Sequence, residues 1–170
     1  GRAVYNIEDP DYVLLTAGAS VDSSTEIDPT QRAAKVEGRS PRAILSSTFS
    51  DELTIATQGR AKVFGVSVKD RGAVAMAGHT GKAFWFSKAT GQWVTSSYYY
   101  DRYPPWVEAF NAADPAARYA DQQWQLLREP ERYLFADRDD QPFETSFPGF
   151  GRTFPHDFGP ADDKYFTTRL

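Results

Sequence analysis

Lys69 and Arg71, an ammonium and a guanidinium one residue apart, are the pair in this chain whose types and spacing could do chemistry on an anion. They flank Asp70 at the end of the apolar run Ala61-Lys62-Val63-Phe64-Gly65-Val66-Ser67-Val68, and Gly72 follows. Residues two apart on a strand point to the same side, so the run predicts that Lys69 and Arg71 project together while Asp70 turns away. Such a pair suits a phosphoryl group: the planar guanidinium fork binds two oxygens and the ammonium adds a point charge. Open α/β sheets bind ligands just beyond the carboxyl ends of their strands, which is where the tripeptide falls if the run is a sheet strand. The plainer reading of a charged tripeptide, a solvated turn, stands beside this one.

Other chemistries find less support. A two-metal hydrolase asks each zinc for three or four ligands of His, Asp or Cys type. The chain has two histidines and no cysteine. His79 and His156 lack ligand-spaced partners, so His79 reads as a turn or helix-start residue after Ala77-Gly78, and His156 as a loop residue in Phe154-Pro155-His156-Asp157-Phe158. No metal ligand is expected here. Ser46-Ser47-Thr48 and Ser96-Ser97 lie outside any G-x-S-x-G context and read as polar turn or strand residues. Gly149-Phe150-Gly151-Arg152 lacks the preceding strand and following helix that give a G-x-G element its use.

The elements that must position the pair follow from punctuation and periodicity. Tyr12 to Ala17 reads as a short strand closed by Gly18, and Val21 to Gly38 as polar and irregular around Pro29. Ser40 before Pro41 predicts a helix start. A second start at Ser50, with Asp51 and Glu52 in its first turn, is stopped near Gly59. After the strand Lys62 to Val68, the small residues Gly72 to Ala77 allow a tightly packed helical turn beneath the cationic pair. Lys82 to Ser87 and Gln92 to Tyr98 form a β-hairpin around Lys88-Ala89-Thr90-Gly91. Beyond Pro104-Pro105, Trp106 to Asn111 and Pro115 to Leu127 read as helical, with Tyr119, Gln123 and Leu126 at helical spacing. From Arg128 onward a long loop region held by aromatic anchors is expected.

Composition narrows the class. A length of 170 residues favours one domain, 1–170. A net charge of −4 argues against a nucleic-acid partner. Aromatic residues make up 15% of the chain, which fits a domain core or an interface with further parts of a protein. No apolar run of about eighteen residues is present, so no membrane helix is expected, and no basic-apolar-small leader opens the chain.

Between Arg39 and Phe110, Gly38-Arg39-Ser40-Pro41, Asp51-Glu52-Leu53, Gly59-Arg60-Ala61-Lys62-Val63, Val66 to Ala73, Ala77-Gly78-His79, Ala83-Phe84-Trp85-Phe86, Gly91 to Tyr99 and Pro105 to Asn111 succeed one another. In that order they resemble the middle of bacterial monomeric alkaline phosphatases with a threonine or serine nucleophile. These form the branch of their superfamily close to the nucleotide pyrophosphatase/phosphodiesterases. The resemblance implies an alkaline-phosphatase-like α/β segment with a β-hairpin and an irregular C-terminal region, either one domain or an internal fragment of a larger catalytic domain. It implies that Lys69 and Arg71 contact non-bridging phosphoryl oxygens of a phosphate monoester. It further implies two zinc ions in the parent enzyme, whose ligands, with the nucleophile and a phosphate-contacting asparagine, lie in motifs that this chain lacks. Alone, such a segment would be inactive. The rest of the catalytic domain would be its partner, and its location periplasmic or secreted. Two other readings remain open: a non-catalytic module that captures phosphate or another anion, and a structural lid or interface insert.

Overall fold

The structure, a computed structural model, describes residues 6–18 and 36–170. The irregular stretch read from Val21 therefore lies, as far as residue 35, outside the described residues. By packing, the chain divides into two compact units, Gly1–Ala113 and Asp114–Leu170.

The first unit is built on a four-stranded sheet with strand order β1-β4-β3-β2. Its strands are β1 (Leu14–Leu15), β2 (Phe64–Ser67), β3 (Lys82–Ser87) and β4 (Gln92–Ser96). The predicted hairpin is present: β3 and β4 are antiparallel, with Trp85 opposite Val94 and Phe86 opposite Trp93. Gly91 closes the turn at φ 68°, a conformation that costs glycine little. β2 and β3 run parallel, with Phe64 opposite Lys82 and Ser67 opposite Trp85. The helix α2 (Asp70–Ala77) connects them, completing a β-α-β unit. A mixed α/β fold results, as the residues predicted.

Alternation along the strands sorts the sheet into two faces. Ala83, Trp85 and Val94 join Ala73, Val74 and Ala77 of α2, with Ile7 and Tyr99, in one buried cluster. On the opposite face, Trp106 of α3 (Pro105–Ala112) meets Phe84 edge-on at 5.2 Å and Phe64 at 6.3 Å. Asn111 fixes α3 to β4 by accepting from Trp93 N at 3.0 Å and donating to Trp93 O at 2.9 Å.

The close approach of α2 to β2 requires Gly65. A Cβ there would lie 2.7 Å from Ala77 N and nearer still to Ala73 O. Gly65→Ala should therefore force α2 outward and cost about 2 kcal/mol, as overpacking generally does. Thermal unfolding beside the wild type checks this, and an unchanged midpoint would refute the tight seat.

Helix α1 (Phe49–Ala56) starts at Thr48, two residues before the predicted Ser50. Thr48 and Asp51 make a reciprocal capping box. Gly59 does mark the reversal that follows, at φ 76°. The helix expected after Ser40-Pro41 is absent. Only one turn forms there, closed by Ile44 N to Pro41 O at 2.8 Å, while the Ser40 hydroxyl donates to Asp9 at 2.6 Å.

In the second unit, Ala117–Tyr119, Pro130–Arg132 and Ala136–Arg138 form single 3-10 turns. Strands β5 (Gln123–Trp124) and β6 (His156–Asp157) pair antiparallel, and α4 spans Phe166–Arg169. The helix predicted over Pro115 to Leu127 is not formed. Asp121 turns left-handed at φ 57°, its N–H bonds Gly159 O, and Gln122 O receives Phe158 N. Long-range pairing has overridden the local spacing of Tyr119, Gln123 and Leu126.

His156 is likewise not a loop residue. It lies buried in β6, stacked on Phe150 with centroids 4.2 Å apart, and Phe150 stacks in turn on Phe147 at 4.7 Å. Arg169 gathers the surrounding loops, donating to Pro148 O, Phe158 O and the Asp163 carboxylate. These contacts are the aromatic and polar anchors of the irregular region.

Candidate functional site

The tripeptide Lys69-Asp70-Arg71 occupies the carboxyl end of β2, where the chain turns into α2. The strand ends at Ser67, so strand alternation is not what orients it, contrary to the reading from sequence. Lys69 is instead the extended N-cap residue, φ −105° and ψ 140°, and Asp70 and Arg71 open the first helical turn. The inward and outward pattern nevertheless holds: Lys69 and Arg71 are exposed and Asp70 is buried.

The burial of Asp70 has a partner that sequence reasoning missed. Arg39 Nε donates to Asp70 Oδ2 at 2.7 Å, and the two side chains are only 10% and 4% exposed. Arg39 is itself held by the carbonyls of Val36 at 2.6 Å and Gly38 at 3.0 Å, and its N–H reaches Ser96 Oγ at 3.3 Å. The other Asp70 oxygen accepts from Arg71 N at 2.7 Å and lies 3.9 Å from Arg71 Nε. Two guanidiniums, Arg39 and Arg71, thus face one carboxylate, and with Lys69 preceding it in the chain these four charges sum to a positive balance. Gly72 lets the helix start close to the strand, since a Cβ there would come within 2.7 Å of Ser67 Oγ. The positive end of α2 adds to the attraction for an anion. Such a corner can bind an oxyanion and neutralise charge on its oxygens.

A second polar cluster lies around Asp51, which is buried. Its carboxylate accepts from Thr48 N at 2.9 Å, His79 N at 2.8 Å, Thr80 N at 3.0 Å and the hydroxyls of Thr48 and Thr80, each at 3.0 Å. His79 Nδ1 stands 2.9 Å from it, and His79 Nε2 stands 3.1 Å from Ile44 O. Burial by itself would raise the Asp51 carboxyl. The hydrogen bonds from His79, Thr48 and Thr80 outweigh it and hold the group far below the usual carboxylate range. An Asp-His pair with a hydroxyl neighbour resembles part of a triad, but every polar atom here already has an internal partner. The cluster ties the start of α1 to the turn after α2, and His79 is a turn residue as its setting in sequence indicated. The T-x-x-D spacing of Thr48 and Asp51 is the signal that could have found it.

Among the described residues, no three His, Asp or Glu side chains come together in a group that could hold a metal ion. No helix among them is long and apolar enough to cross a membrane.

No protein-family model matches the chain. Whole-sequence comparison does find relatives. Alkaline phosphatase PhoV of Synechococcus elongatus is 35% identical over 169 residues, which cover 98% of this chain and 28% of that protein. Alkaline phosphatase PafA of Elizabethkingia meningoseptica is 35% identical over 147 residues, 84% of this chain and 27% of that protein. A Myroides odoratus protein named calcium-transporting ATPase is 35% identical over 160 residues, 91% of this chain and 29% of its own length. In structure, the wild-type PafA crystal structure superposes with a TM-score of 0.69 at 30% identity, over 98% of this chain and 28% of that one. The chain is a segment of a bacterial alkaline-phosphatase-like protein.

A PafA variant with four substitutions gives a TM-score of 0.68 at 32% identity over 90% of this segment. The alkaline-phosphatase-like segment spans under a third of the length of each of these relatives. The 98% of the chain that is covered takes in residues of both compact units.

Proposed function

We propose that this segment supplies phosphoryl-oxygen contacts to a metal-dependent phosphomonoesterase, an alkaline phosphatase, with Lys69 and Arg71 as the contacting side chains. The observation that carries this reading is the place of the pair, at the carboxyl end of a strand in a parallel β-α-β unit and on the first turn of the crossover helix. A dianionic monoester develops spread charge on three equatorial oxygens in a loose transition state, and fixed cations beside them lower the barrier. Arg71 serves two oxygens through its fork; Lys69 serves as a point charge. Further support comes from the PafA variant: it lacks a lysine and an arginine two positions apart, besides changes at a threonine and an asparagine, and that spacing equals the spacing of Lys69 and Arg71.

Zinc enters this reading only through the resemblance. The described residues offer no cluster to hold it, and its ligands are taken to lie elsewhere in the protein. The segment 1–170 is taken as part of the catalytic domain, with the remainder of that domain as its partner, and a periplasmic or secreted location goes with the same resemblance.

The whole enzyme is expected to release nitrophenol from a nitrophenyl phosphate and to lose that activity to a chelator. The isolated 170-residue chain is expected to release none with or without added zinc. Chelator-sensitive turnover by the isolated chain would overturn the assignment of nucleophile and metal ligands to other parts of the protein. A whole enzyme inert toward monoesters would overturn the proposal itself.

A further inference from the structure

We infer that Asp70, locked by Arg39, is a positioning residue for Arg71, and that the Arg39–Asp70 pair sets the geometry and the charge balance of the anion-binding corner. The inference rests on the assignment of Arg71 to the phosphoryl group. Its own basis is separate. Asp70 spends one carboxylate oxygen on the Arg71 backbone N–H at 2.7 Å, with the Arg71 guanidinium 3.9 Å away, and the other on Arg39 Nε at 2.7 Å. The carboxylate therefore fixes the residue that bears the fork and lies beside the fork itself.

Arg39 is not a mobile counter-charge. Its guanidinium also donates to Val36 O and Gly38 O, and its backbone reaches Ser96 at the end of β4. The first turn of α2 is thus fastened through Asp70 to the sheet and to the segment before Ser40. A side chain so held loses less freedom when it binds, and small misplacements of a charged contact cost rate steeply.

Charge supplies the second half of the argument. An uncompensated carboxylate one residue from each anion-binding side chain would oppose a dianion. Arg39 offsets that charge from the buried side, while Lys69 and Arg71 stay exposed. A pair that merely stabilised the fold would have no reason to be coupled to Arg71.

A double-mutant cycle in the whole enzyme, with Asp70→Asn and Arg71→Ala singly and together, tests this on a monoester and a diester. Asp70→Asn should lower kcat/KM for the monoester by about tenfold in the wild-type background and by less than about twofold when Arg71 is already alanine. The diester should lose less. Arg39→Lys, which keeps the counter-charge but loses the fixed fork, should show the same coupling to Arg71→Ala, and it serves if Asp70→Asn does not fold. Equal losses in both Arg71 backgrounds, or no loss on altering either member of the pair, would overturn the positioning role while leaving Arg71 in place. No loss in Arg71→Ala alone would instead remove the reading on which the inference rests.

Discussion

Replacing Arg71 with alanine in the whole enzyme is expected to lower kcat/KM for a phosphate monoester by tenfold to a thousandfold, about 1.4 to 4 kcal/mol of transition-state stabilisation. Lys69→Ala should fall in the same range. Removing preorganised charge contacts from other active sites has effects of this order. A diester carries one fewer charge on the transferred group, so its hydrolysis should suffer less and the monoester preference should shrink. Arg71→Lys should restore only part of the loss, because an ammonium cannot reproduce the two-pronged contact of a guanidinium. Folding should survive, since both side chains are exposed. Steady-state kinetics on paired substrates checks this. Equal losses for monoester and diester would refute dianion recognition, and unchanged kinetics in both variants would return the tripeptide to a solvated turn.

The second large effect concerns stability. Asp51→Ala should cost about 4 kcal/mol, because it removes a buried carboxylate that caps α1 and holds His79 and Thr80. Its pH dependence has a definite sign. The folded-state value of Asp51 lies below the unfolded value of about 3.9, so its contribution is complete above roughly pH 4 and drains away as the pH falls toward the folded value. The gap between wild type and variant, read from urea unfolding, should hold through neutral pH and narrow in acid. A gap that widened in acid would contradict the network.

The legible parts of this fold were those whose signals are local. Gly91 between two alternating runs announces a hairpin, and the small residues after Gly72 announce a helix that can sit tightly on a strand. What failed was overridden from a distance. Ser40 has the chemistry of an N-cap, yet its hydroxyl is spent on Asp9, thirty-one positions away. The spacing of Tyr119, Gln123 and Leu126 suits a helix, but Gln123 and Trp124 pair with Asp157 and His156 instead.

The site divides in the same way. Lys69 and Arg71 draw notice in the sequence because they flank a single residue and are of telling type, although a helix start and not a strand orients them. Arg39 was invisible because nothing local to it points to Asp70, and only the folded sheet brings a guanidinium from one loop beneath the first turn of α2.

Whether Lys69 and Arg71 hold the phosphoryl group is decided by a crystal structure of the whole enzyme with vanadate bound as a mimic of that group. The Arg71 fork should lie on two equatorial oxygens and Lys69 Nζ on an oxygen, all at hydrogen-bond distance, with Asp70 still turned inward onto Arg39. Vanadate bound with both cations out of reach would contradict it.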